Sequence, residues 1–146
     1  MRVVVDASVV VKWFFPEQDG ETEEDLAVRL LEAIRDGRVE PIQPAHWLAE
    51  VVAVVTRLRP AIVAGVVDLL DAMEFPVVGE AAVYHKAARL AFDLREHVFD
   101  TLYHAVARER QATLITADYR YCRRAERFGS IARLADWGRL ENVPGL

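Results

Sequence analysis

Cysteine is almost missing from this chain. One residue in 146, Cys122, carries a thiol. That excludes an intramolecular disulfide and any cysteine-rich zinc site, and it points to a reduced, cytoplasmic setting. Long apolar runs are missing too. None reaches the roughly 20 residues that a membrane-spanning helix needs, so no membrane role is expected. The first residues lack a basic segment followed by a cleavage site, and no signal peptide is expected. No repeat, low-complexity segment or linker interrupts the chain, so a single domain over residues 1–146 is expected, with an undefined tail after about residue 137. Basic excess is also lacking. The net charge is −5 and the pI is near 5.4, which runs against the basic footprint of most nucleic-acid binders. The four histidines (His46, His85, His97 and His104) form no helical metal-binding pair.

What is present reads as a folded globular protein, 53% hydrophobic and 28% charged. Arg2–Val5 is β-branched and continuous, the pattern of a short buried strand. The valines resume after Asp6, but a long strand through an unpaired charge is implausible, so a helix is predicted over residues 7–15, stopped at Pro16. An acidic loop, EQDGETEED, leads to a helix over residues 23–36 with Leu26, Leu30, Leu31 and Ile34 on one face, ended by Gly37. Further strands are predicted at residues 40–43, 75–78, 113–116 and 130–134. Further helices are predicted at residues 45–58, 60–73, 80–95, 100–110 and 119–128. Strands alternating with single or paired helices predict an α/β fold, a mostly parallel central sheet covered by helices on both faces.

Four carboxylates sit awkwardly in this pattern. Asp6 and Asp118 stand just past the carboxyl ends of predicted strands, where open parallel sheets bind ligands. Each also suits a helix N-cap, as does Asp100, which precedes a helix with Leu102, Tyr103 and Val106 on its apolar side. Glu50 falls at the margin of the stripe formed by Trp47, Val51, Val54, Val55 and Leu58, where a side chain reaches either water or a cleft. Taken jointly, the four acids could converge on one cleft. Clustered carboxylates repel unless a cation intervenes, and oxygen-only ligands suit Mg²⁺ or Mn²⁺, not zinc.

Three segments carry a resemblance: DASVVVKWFFPE, AHWLAEVVAVVTRL and VFDTLYHAVARERQATLITAD. In that order and at those separations they resemble the PIN-domain ribonucleases, and more narrowly the VapC toxins of toxin–antitoxin pairs, over residues 2–134. The resemblance implies a three-layer α/β/α sandwich. It carries the family's acidic quartet onto Asp6, Glu50, Asp100 and Asp118, with Ser8 and Thr116 as hydroxyl partners and Thr101 as a weaker one. It implies hydrolysis of RNA phosphodiesters with Mg²⁺ or Mn²⁺ as cofactor, and a VapB-type antitoxin as partner. Two departures stand out. Many relatives carry a glycine-containing turn before the third acid, where this chain has LREHVFD. An acid common shortly after the fourth is replaced by Tyr119, Arg120 and Tyr121.

RNA must also be held. Lys12 on the first helix and Arg120, Arg123 and Arg124 after Asp118 are the candidate phosphate contacts, against the plainer reading of a solvated helix face. Arg127 shares a face with Arg123. The helix over residues 60–73 has an apolar arc too wide for one buried face, which suits a homodimer surface or a position inside the core. Three rival functions are weighed. A haloacid-dehalogenase-type phosphatase would want a second aspartate where Ser8 stands. A response-regulator receiver would want an adjacent acidic pair. A non-catalytic PIN fold that only binds RNA or protein would have lost one of the four acids, and none is lost.

Overall fold

The structure is a computed structural model, and it describes residues 1–15 and 23–142. The stop expected at Pro16 and most of the acidic loop lie outside the described residues. Strand β1 (Arg2–Val5) buries Val3, Val4 and Val5 completely, each contributing about 1.5–3 kcal/mol of apolar burial. A central strand of a parallel sheet is covered on both faces, so an unbroken valine run fits it. β1 pairs in parallel with β2 (Glu40–Pro41) on one side and β5 (Thr113–Thr116) on the other, and β5 pairs in parallel with β6 (Ile131–Arg133). The order is β2-β1-β5-β6. The two strands that end in Asp6 and Asp118 are therefore central neighbours.

Helices surround this sheet: α1 (Ala7–Val10), extended by a 3₁₀ turn Val11–Phe14, then α2 (Glu23–Arg35), α3 (Trp47–Leu58), α4 (Val63–Ala72), α5 (Ala81–Leu94), α6 (Val98–Glu109), α7 (Tyr119–Ala125) and α8 (Trp137–Glu141). Helix α6 lies against β1 and β5 and packs on α5; α1 meets β5, and α7 meets β6. The expected three-layer α/β/α architecture is what is observed.

Several boundaries differ from those predicted, for local reasons. The strand expected at residues 40–43 is two short strands in different sheets. Ile42 N donates to Val3 O (2.9 Å), but the next amide, Gln43 N, donates to Pro76 O (2.9 Å). Pro41 and Pro44 lack amide donors, so neither ladder extends, and β3 (Gln43–Pro44) pairs with β4 (Val77–Val78). The helix over residues 60–73 opens with a 3₁₀ turn, Pro60–Ile62. In the supposed tail, a 3₁₀ turn Leu134–Asp136 leads into α8, and Trp137 is fully buried. Helix α6 starts two residues earlier than predicted, so Asp100 lies inside its first turn and does not cap it.

Arg95 explains how the turn before the third acid works without glycine. It caps α5 in the left-handed region (φ 53°, ψ 48°), a conformation costing an L-residue about 1–2 kcal/mol. Glu96 N then donates to Ala91 O (3.1 Å), and the chain turns into α6.

Candidate active site

The site is built at the carboxyl ends of β1 and β5. Asp6 N donates to Ile115 O (3.0 Å), extending the β1–β5 ladder by one residue, and Asp6 O accepts from Val9 N and Val10 N (2.9 and 3.1 Å) to start α1. The backbone of Asp6 thus caps the helix while its side chain makes no capping bond. The carboxylate is left for other work. Its Oδ2 accepts from Ser8 Oγ (2.5 Å) and Thr116 Oγ1 (2.8 Å). Those hydroxyls in turn accept from Ala117 N (3.1 Å) and Asp118 N (3.0 Å). An amide can only donate and a hydroxyl has one proton, so both hydroxyl protons must point at Asp6. Ser8 and Thr116 fix the Asp6 carboxylate and tie it to the segment that carries Asp118.

Asp118 caps α7 as the sequence allows, its side chain accepting from Tyr121 N (2.9 Å). It also lines a recess of about 10 Å³ together with Asp6, Asp100, Leu114, Thr116 and Tyr121. That is room for about one water-sized occupant, not a nucleotide. None of the six lining residues is basic. Burial, set against the two hydroxyls, pushes the Asp6 carboxyl above the usual range, and Asp100 and Asp118 push the same way. Burial, Glu96 and Asp118 likewise raise Asp100. Asp6 and Asp100 therefore both feel the charge of Asp118 across the recess.

Glu50 does not line the recess. Its Oε2 accepts from Tyr103 OH (2.7 Å), and its Oε1 lies 3.6 Å from His46 Nε2, which is engaged with Phe99 O at 2.7 Å. Burial raises the Glu50 carboxyl, with Tyr103 opposing and Asp6 and Asp100 adding to it, so it belongs electrostatically to the same cluster. Thr101 does not join. It is fully buried and donates to Ala87 O (2.8 Å), fastening α6 to α5.

The donor chemistry is all oxygen, hydroxyl-supported and anionic, which fits a hard divalent cation. Among the described residues, however, no group of three or more His, Cys, Asp or Glu side chains is arranged to hold a metal ion as it stands.

The basic candidates divide. Arg120 (3.1 Å) and Arg124 both pair with Glu96, whose side chain is only 5% exposed, and Arg124 also donates to Leu94 O. Arg120 keeps 61% of its side chain exposed, and its charge opposes part of the rise in the Asp100 pKa. Lys12 is held by Glu23 and Glu24 on α2 (3.5 and 3.3 Å). Arg123 lines a separate pocket of about 610 Å³ with Tyr119, Cys122 and Arg133, and Arg127 stacks on Phe128.

Sequence reasoning missed three residues that shape the site. Gln43, fully buried, donates through Nε2 to Val5 O and accepts at Oε1 from Val5 N, both at 2.9 Å. Its amide thereby completes the end of β1 just before Asp6. Tyr103 holds Glu50, and Glu96 gathers two arginines beside Asp100. The only available signal was the spacing of Asp100 and Tyr103, which puts both on one side of α6.

A family model for the PIN domain matches residues 3–127. The chain belongs to the PIN-domain family. It has no match among curated protein sequences. Among solved structures it is similar to a toxin–antitoxin complex from Klebsiella pneumoniae (13% identity, TM-score 0.66, covering 90% of this chain and 97% of that one). It is similar to VapBC2 from Rickettsia felis bound to a promoter DNA fragment (15%, 0.66, 91% and 98%). It is also similar to VapC20 of Mycobacterium tuberculosis, a toxin that cleaves the sarcin–ricin loop (19%, 0.59, 77% and 86%). At these identities the likeness concerns the fold.

Proposed function

We propose that this PIN domain is a divalent-metal-dependent endoribonuclease acting as the toxin of a toxin–antitoxin pair. One observation carries the reading: Asp6, Asp100 and Asp118 share a recess with no basic side chain lining it. A buried carboxylate flanked by like charges is costly in the absence of a counter-ion. The similarity to toxin–antitoxin complexes, VapBC2 among them, and to a toxin that cleaves the sarcin–ricin loop supports the substrate class and the antitoxin.

Asp6, Asp100 and Asp118 would hold Mg²⁺ or Mn²⁺, with Glu50 at the edge of the site, directly or through water. When bound, the cation would activate water and offset charge on the phosphoryl oxygens. The residues of the chain do the positioning. Ser8 and Thr116 hold Asp6 with both their protons, so its carboxylate cannot rotate freely. Glu50 would orient a water. Arg120 lies beside Asp100 and offers the RNA backbone a positive charge at the rim. Since the recess admits no nucleotide, RNA lies across it and presents only a phosphate. No helix among the described residues is long and apolar enough to cross a membrane, and a cytoplasmic site of action is part of the reading. So is a homodimer. Helix α4 buries Val66 and Leu70 but leaves Leu69 50% exposed, beside Val28 of α2 at 40%.

The test is to incubate the purified chain with total RNA and Mg²⁺ or Mn²⁺ and map the cleaved ends. Cleavage abolished by chelation and by Asp6→Ala supports the reading. The alternative is a non-catalytic PIN fold that binds RNA or protein. Intact RNA with retained binding would move that reading to the front.

A further inference from the structure

The geometry points to Tyr103 as a positioning residue that sets the Glu50 carboxylate for the metal-dependent site, an inference that rests on the nuclease reading above. Tyr103 is 1% exposed, and packing alone would be met by phenylalanine. Its hydroxyl is buried polarity that needs a partner. Between a phenol and a carboxylate it is the phenol that donates. The acceptor is Glu50 Oε2, at 2.7 Å.

The consequence falls on Glu50. A glutamate has three side-chain torsions, and a half-buried one on a helix margin would otherwise sample several of them. Tyr103 has two torsions, both fixed by core packing, and sits three residues after Asp100 on α6, so helix geometry sets the two side by side. With Oε2 occupied, Oε1 is the oxygen left to face His46, at 3.6 Å from its Nε2. The ring of Tyr103 also packs on His46, with centroids 4.9 Å apart, so the same side chain steadies His46 as well as Glu50. Tyr103 never touches RNA or cation in this scheme; it acts through Glu50.

A double-mutant cycle tests this. Mn²⁺ binding is measured by calorimetry for the parent, Tyr103→Phe, Glu50→Gln and the double variant. Folding is checked by circular dichroism, and kcat and KM are measured on the RNA that the parent cuts. Tyr103→Phe keeps the ring and its packing. It should weaken Mn²⁺ binding about 10-fold, the scale for removing a partner that orients a ligand, and lower kcat with KM unchanged. In the Glu50→Gln background the same change should alter Mn²⁺ affinity less than about 2-fold. A folded Tyr103→Phe protein that binds Mn²⁺ like the parent overturns the proposal, and so does a loss that persists in full without the Glu50 carboxylate. A parent that binds no Mn²⁺ is a different result: it removes the metal-dependent reading, and this assignment with it.

Discussion

Replacing Asp6 with asparagine should make the metal-free protein more stable and its response to metal smaller. The substitution keeps the shape of the side chain and an oxygen for Ser8 and Thr116. Hydrogen bonds to a charged acceptor contribute about 1.5–3 kcal/mol and neutral ones about 0.5–1.5, so weakening two of them costs roughly 2 kcal/mol. Against this stands the removal of a buried charge, whose penalty in real proteins is several kcal/mol, and of its repulsion by Asp100 and Asp118. The second effect should win. The sign with pH follows. Asp6, Glu50 and Asp100 all have raised carboxyl pKa values in the folded protein. The folded state therefore holds protons that the unfolded chain releases. The destabilisation is absent below the ordinary carboxylate pKa of about 4, and it grows as pH rises through the window between that value and the raised one. Without metal, the gap between variant and parent should be wide at neutral pH and close on acidification.

Metal reverses the order. A ligand at 100 times its dissociation constant stabilises the folded state by about 2.7 kcal/mol, or roughly 5–10 °C in Tm for a chain of this size. The parent should gain that much with saturating Mn²⁺, and Asp6→Asn much less. Thermal melts with chelator, with Mg²⁺ and with Mn²⁺, at neutral and mildly acidic pH, read all of this out. Equal Mn²⁺-induced shifts in parent and variant would refute the assignment of Asp6 as a ligand.

Gln43→Leu should be among the most damaging core changes, because it leaves Val5 N–H and C=O buried and unpaired; a loss of about 3 kcal/mol, roughly 10 °C in Tm, is expected in calorimetry, and a shift under 2 °C would count against it. Induced alone in a bacterial host, the parent should arrest growth, while Asp6→Ala and Asp118→Ala at matched expression should not, with Ser8→Ala intermediate; arrest by the two alanine variants would show that toxicity does not come from cleavage. Arg120→Ala should weaken RNA binding and flatten its salt dependence by about 0.7 in log–log slope, one phosphate contact on a single strand; an unchanged slope removes Arg120 from the RNA path.

The sheet was legible because its signals are local. Three buried valines, the TLIT strand and the residues that follow each strand need no tertiary information. The break at Asp6 followed from the cost of a charge inside a strand, and the backbone does start a helix there. What escaped was whatever depends on a partner far along the chain. The switch of residues 40–44 between two sheets is decided by Pro76 and Val3, which no window around residue 42 contains. Gln43 looks like an ordinary polar residue until its amide is seen on Val5, and Tyr103 looks like core until Glu50 is placed beside it. The neighbours of Asp100 also suit a cap, yet His97 O accepts the amides of Asp100 and Thr101 and begins the helix two residues sooner.

The acidic balance of the chain now has a local explanation. A protein that grips RNA along its length needs a basic stripe, and here the arginines nearest the site are largely spent. Glu96 binds two of them and is itself almost out of solvent. Arg123 points to another pocket, and Lys12 is neutralised by α2. Such a surface attracts a polyanion weakly until charge is added to the recess. A divalent cation among the aspartates would supply that charge at the point where a phosphate must be held, so binding and catalysis would depend on the same ion. RNA affinity should then rise with Mn²⁺ in the parent more than in Asp6→Asn. A basic segment of an antitoxin laid over the same carboxylates would compete for the site by the same electrostatics.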